Sequence, residues 1–134
     1  RATDYRLLSS VQIQSVDNHH QLDQINAIVE RVMDNLGEEF SVSALAEELG
    51  MSDSQFSRFF RRATGNTFTE FVNRIRINRA CQLLRESNRF IADIGLEVGF
   101  NNMANFNRRF LDIKGMTPSD YRKQSGVRFG LHER

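Results

Sequence analysis

The strongest constraint on this chain is that it repeats itself. The stretch "FSRFFRRATGNTF", from Phe56, matches "FNRRFLDIKGMTP", from Phe106, at a shift of 50 positions. Phe56, Arg58, Phe60, Gly65 and Thr67 fall on Phe106, Arg108, Phe110, Gly115 and Thr117. The match continues as Thr69/Ser119, Glu70/Asp120 and Phe71/Tyr121. Phenylalanines four positions apart share one face of a helix, and an arginine between them is turned to another. The same helix, glycine stop and capped restart are therefore expected twice within 134 residues, either in one domain or in two small ones sharing a core.

Helical signals fill the chain from Leu22 onward and predict about seven helices with no strand, an all-α fold. Ile25, Ile28, Val29, Val32, Met33 and Leu36 recur at three- and four-residue steps, with Gly37 placed to close the helix. Ser41 caps a short helix that Gly50 stops. Ser52 and Gln55 form a capping box for a helix ending at Gly65, and Thr67 with Glu70 opens a long helix to about Glu86. A short helix follows from about Arg89 to Val98. Asn101 or Asn102 caps the next, and Thr117, Pro118 and Asp120 begin the last. Residues 1–21 lack a sustained period and read as a short strand around Val11 and Ile13 or as linker. The pair His19–His20 has no accompanying ligand cluster and reads as tail rather than metal site.

Two helices joined by a tight glycine turn are the helix-turn-helix pattern. In "LAEELGMSDSQFSRFF", small Ala46 admits a close crossing, Leu45, Leu49 and Met51 fill the space beneath, and Gly50 supplies a positive φ. In "IGLEVGFNNMANFNRRF", Ile94, Gly95, Val98, Gly99 and Phe100 repeat the scheme with a turn one residue longer. Gly95 inside a helix costs about 1 kcal/mol against Ala, which implies a crossing where only a minimal side chain fits. The second helix of the first unit points Phe56, Phe59, Phe60 and Ala63 inward and Ser54, Ser57, Arg58 and Arg61 outward. In the second unit Phe106, Phe110 and Ile113 point inward while Ala104, Asn107, Arg108 and Leu111 point out. Arg donates two parallel bonds to guanine O6 and N7, and Asn pairs with adenine, so both faces suit a major groove, the second less richly.

Net charge, +1, does not choose a partner, but its distribution is uneven. Seven arginines stand against two acids from Ser52 to Arg85, and six basic residues against two acids from Asn101 to Arg128. Two such segments suit two contacts on a polyanion and equally suit a solvated surface. No apolar run is long enough to span a membrane and nothing resembles a signal peptide. The single Cys81 excludes an internal disulfide framework and lies among apolar neighbours as a small buried hydrophobe. The long helix, about 18 residues or about 27 Å, is near the ~34 Å between successive major-groove faces of B-DNA.

The run "LAEELGMSDSQFSRFFRRATGNTFTEFVNRIRINRACQLL" followed by "IADIGLEVGFNNMANFNRRFLDIKGMTPSDYRK" resembles the DNA-binding domain of the AraC/XylS transcription regulators. The likeness covers residues 22–124. It is most specific in G-F-x(6)-F-x-R-x-F-x(4)-G-x-T-P-x-x-Y-R, from Gly99 to Arg122, and in the linker-helix run from Arg76 to Leu84. It implies two helix-turn-helix subdomains, at 22–66 and 88–125, joined by a linker helix at 67–87. Residues 1–21 would be a linker or the remnant of a preceding effector or dimerisation domain, and 126–134 a tail.

By the same resemblance, base reading falls on Ser54, Gln55, Ser57 and Arg58, then on Asn102, Met103, Ala104 and Asn107. Backbone contacts fall on Arg61, Arg62, Thr67, Arg108 and Thr117. The family usually has Ser or Pro where this chain has Phe90, and often polar residues in place of Met103 or Ala104. The expected partner is double-stranded DNA, with RNA polymerase in the full-length protein and a small-molecule effector only through a domain absent here. The expected setting is the bacterial cytoplasm, at the nucleoid, in transcription regulation, activation included. No catalytic residue, cofactor or metal is expected. A DNA-repair enzyme would need a Cys cluster, and a protein-interaction module would have no reason to keep outward Arg58 and Arg108.

Overall fold

The computed structural model describes residues 19–126. Among them are seven helices and no strand: α1 (His19–Asp34), α2 (Val42–Glu48), α3 (Asp53–Thr64), α4 (Phe68–Glu86), α5 (Ile91–Glu97), α6 (Met103–Lys114) and α7 (Pro118–Gln124). They form two compact units. Unit 1 takes the residues up to Asn35 together with Glu39–Val72, and unit 2 takes Leu36–Glu38 together with the chain from Asn73 onward. Helix α4 gives its first turn to unit 1 and the rest to unit 2. The strand or linker expected around Val11 and Ile13, and nearly all of the C-terminal tail, lie outside the described residues.

Unit 1 is built on aromatic rings. Ile25, Ile28, Val29 and Val32 of α1 are buried, as are Leu45 and Ala46 of α2 and Phe56, Phe59, Phe60 and Ala63 of α3. Leu49 and Met51 are half-buried. Phe56 and Phe60 lie 5.8 Å apart between ring centroids, and Phe68 and Phe71 meet Phe60 edge-on at 5.4 and 5.1 Å. Edge-to-face pairs of this kind add to the burial of their area.

Unit 2 repeats these contacts. Phe106 and Phe110 lie 5.9 Å apart, and Tyr121, fifty positions after Phe71, meets Phe110 edge-on at 5.7 Å. Ile77, Ala80, Cys81, Leu84, Ile94, Val98 and Phe100 complete the core. Burial pushes the Cys81 thiol up from its ordinary range, so it stays protonated at neutral pH. Arg122 of α7 donates to the carbonyls of Leu84 and Ser87, both at 3.1 Å, tying α7 to the end of α4.

The helix ends follow their capping residues with small differences. Ser41, Ser52, Asn102 and Thr117 each accept a backbone N–H as N-caps, and Ser52 with Gln55 completes the capping box. Gly65 and Gly115 end α3 and α6 in the left-handed region, at φ 81° and 77°. Helix α1 is already formed at His19, the first described residue, three residues before the expected Leu22. It also ends before Gly37. Asn35 turns its side-chain amide back onto the Arg31 carbonyl, and Gly37 has no left-handed φ. Helix α5 starts at Ile91 rather than near Arg89, because Phe90 is extended at φ −63°, ψ 141°.

Candidate nucleic-acid interface

In each unit the second helix of the pair is held from below by phenylalanine and leaves a polar stripe in solvent. On α3, Phe56 and Phe60 are fully buried, while Ser54, Ser57, Arg58, Arg61 and Arg62 are exposed. On α6, Phe106 and Phe110 are fully buried, while Ala104, Asn107 and Arg108 are exposed and Leu111 is 50% exposed. The Gly50 turn sets the angle between α2 and α3 at φ 70°, and the Gly99 turn does so between α5 and α6 at φ 113°. In a helix-turn-helix unit this second helix is the one that lies in a major groove, with its N-terminal residues against base edges.

The expected base-reading residues divide by what else they do. Ser54, Ser57 and Arg58 in unit 1, and Ala104 and Asn107 in unit 2, have no hydrogen-bonding duty among the described contacts that competes with a base. Gln55 has one: its Oε1 accepts the Ser52 N–H at 2.8 Å, leaving its amide NH2 to donate elsewhere. Asn102 spends its Oδ1 on the N–H of Asn105, at 2.8 Å. Met103 is half-buried against the core of unit 2. These three occupy the first turn of the helix or its cap, where folding and reading compete for the same atoms.

Among the expected backbone contacts, Arg61, Arg62 and Arg108 are exposed guanidiniums. Thr67 and Thr117 each accept an N–H at 3.1 Å, from Glu70 and Asp120. Glu70 returns the bond, accepting the Thr67 N–H at 2.9 Å, so a carboxylate already sits at the start of α4.

One contributor was missed in the sequence. Asn105 is half-buried, and its Oδ1 accepts from the Arg108 guanidinium at 3.2 Å, which braces that arginine on the helix surface. The only signal for it was the three-residue spacing. Among the described residues no group of three His, Cys, Asp or Glu side chains could hold a metal, and no helix is long and apolar enough to cross a membrane.

Two glycine-turned helix pairs, each with an arginine between buried phenylalanines, define a tandem helix-turn-helix protein. The family described as a helix-turn-helix domain matches residues 45–124, and the chain belongs to it, in its AraC type. A transcriptional regulator from Chromobacterium violaceum with an AraC-type DNA-binding domain has a similar structure. Its TM-score is 0.71 at 28% identity, over 81% of this chain and 96% of that one. The DNA-binding domain of AdpA, a global transcriptional factor solved with a target DNA, superposes with a TM-score of 0.70 at 27% identity. That match covers 75% of this chain and 91% of the other. An uncharacterised HTH-type transcriptional regulator of Staphylococcus aureus is 35% identical over 100 residues, 75% of this chain. The chain spans 13% of that regulator's length.

Proposed function

We propose that the chain is the DNA-binding part of a bacterial AraC-type transcription regulator, gripping duplex DNA with α3 and α6 in consecutive major grooves. The observation that carries this reading is the pair of exposed faces, each presenting an arginine fixed between two buried phenylalanines. A plain structural helix pair needs the phenylalanines but not the outward guanidinium at both equivalent positions. In unit 1, Arg58 donates to guanine while Ser54, Ser57 and the free amide of Gln55 read neighbouring positions. In unit 2, Asn107 pairs with adenine beside Ala104, Asn102 and Met103 flank it, and Arg108 holds a phosphate. Arg61, Arg62, Thr67 and Thr117 supply the remaining backbone contacts.

The division of labour extends beyond this chain. Residues 1–21 are the linker from, or the remnant of, a preceding domain that binds a small-molecule effector or dimerises, and the assembled regulator acts on RNA polymerase in the cytoplasm, at the nucleoid. The subdomains are 22–66 and 88–125, with 67–87 as linker helix and 126–134 as tail. The protein has no catalytic role and needs no cofactor.

Selection of binding sites from random duplexes, followed by a salt titration of the best one, tests this. The expected result is an enriched bipartite site whose affinity falls steeply with salt, because neutralised phosphates release counterions. Failure to enrich any sequence, with affinity indifferent to Arg58→Ala, would overturn the sequence-specific reading. Enrichment over a single groove would limit base reading to unit 1.

A further inference from the structure

Unit 2 is not one continuous stretch of chain. It takes in Leu36–Glu38, a three-residue strap lying between α1 and α2 in sequence. Arg76, from α4, holds that strap by its backbone: Nε donates to the Leu36 carbonyl at 3.1 Å and Nη2 to the Glu38 carbonyl at 2.6 Å. The strap lies against the turn that leads from α5 into the second recognition helix. A Cβ on Gly99 would come within 2.5 Å of Arg76 Nε and 2.6 Å of the Leu36 oxygen, and one on Gly37 within 3.1 Å of the Glu97 oxygen. Two glycines thus clear the space in which a guanidinium, a strap and a turn close on one another.

From that turn the connection to α6 is direct. Phe100 is buried and its ring lies 5.3 Å from Phe106, one of the two anchors of the recognition helix. Among the described residues the Gly50 turn of the first unit has no counterpart to this clamp, since a Cβ on Gly50 would meet nothing within 4 Å. The clamp is therefore an addition to the helix-turn-helix pattern and not a requirement of it.

We infer that Arg76 is a positioning residue for the second recognition helix, setting the aim of α6 through the Leu36–Glu38 strap and the Gly99 turn. The inference rests on the reading that unit 2 contacts DNA. A planar fork reaches two carbonyls at once, and an ammonium cannot reproduce that geometry, so lysine is a demanding control.

The experiment uses the whole chain and two duplexes, the selected bipartite site and the same site with the half assigned to unit 2 scrambled. Arg76→Ala and Arg76→Lys are each expected to lower affinity for the intact site about tenfold, the size of one mismatched base pair. Both should flatten base preference in that half and leave affinity for the scrambled duplex unchanged. Amide spectra of the unit 2 core check that the variants fold, and if Arg76→Ala does not, Arg76→Lys decides. A folded variant that keeps its preference in that half, or an equal loss on both duplexes, overturns the positioning role alone. Wild-type protein that ignores the scrambling overturns base contact by unit 2 and the inference with it.

Discussion

Helices α3 and α6 are the same device with its two faces diverged. Fifty positions relate Phe59 to Arg109 and Arg61 to Leu111. On α3 the phenylalanine is buried and the arginine exposed, the usual polarity. On α6 the arginine is half-buried, with its Nε shielded from solvent and unpartnered, while Leu111 stands 50% in solvent. Unit 2 accommodates this exchange of sides because Phe106 and Phe110 carry the packing, as Phe56 and Phe60 do in unit 1. The difference separates what the fold demands from what a ligand demands. The two inner phenylalanines, the glycine stop and the threonine restart are common to both copies, while the outward stripe is free to change.

The sharpest test of that separation is to remove an anchor from each copy. Phe60→Ala and Phe110→Ala should each destabilise the protein by about 3–5 kcal/mol in denaturant titration, both side chains being fully buried in aromatic clusters. If one is tolerated, the copies are not built alike. The outward arginines should separate instead. Arg58→Ala should cost about 1–3 kcal/mol of binding and relax specificity at one position, whereas Arg108→Ala should weaken all sequences alike and reduce the salt slope by about one unit. Identical behaviour of the two would erase the distinction between a base-reading arginine and a phosphate-holding one.

Smaller effects probe the crossings of the helix pairs. Gly95→Ala ought to help a helix by about 1 kcal/mol on intrinsic preference. Its new Cβ, however, would lie 2.9 Å from the ring of Phe106, which is fully buried between Phe100 and Phe110. Overpacking of that kind typically costs about 1–3 kcal/mol, so the net change should be a modest loss of stability by thermal melting. In unit 1 the corresponding crossing is made by Ala46, fully buried, and Ala46→Gly should destabilise by the helix-preference difference of about 1 kcal/mol and, in addition, by the loss of a buried methyl.

Much of this was legible because the signals are local. Caps at Ser41, Ser52 and Thr117 and stops at Gly65 and Gly115 depend on residues three or four positions away, and the phenylalanine spacing fixes which face is buried. What escaped were events that need distant chain. Gly37 reads as a helix stop from its neighbours, yet its missing side chain makes room for Glu97, sixty positions on. Arg76 belongs to a recognisable motif, but nothing nearby says that it binds the Leu36 and Glu38 carbonyls. Within the candidate site, Gln55 and Asn102 look like free readers until their cap hydrogen bonds are seen, because one side-chain oxygen serves either purpose.

The finest contrast between the copies lies at the start of their first helices. Ser41 caps α2 by accepting the Ala44 N–H at 3.1 Å. At the same point of unit 2 stands Phe90, 77% exposed and making no side-chain cap bond, so the first N–H groups of α5 lack that partner. Its backbone is already extended, the conformation a capping residue adopts, so serine fits there without rearrangement. Phe90→Ser should therefore stabilise the protein by about 1 kcal/mol, read as a raised midpoint in denaturant with unchanged slope. The converse change, Ser41→Phe, should destabilise by a similar amount. An unchanged midpoint in Phe90→Ser would mean that the exposed ring already contributes as much as a cap. The asymmetry between the copies would then lie only in their outward faces.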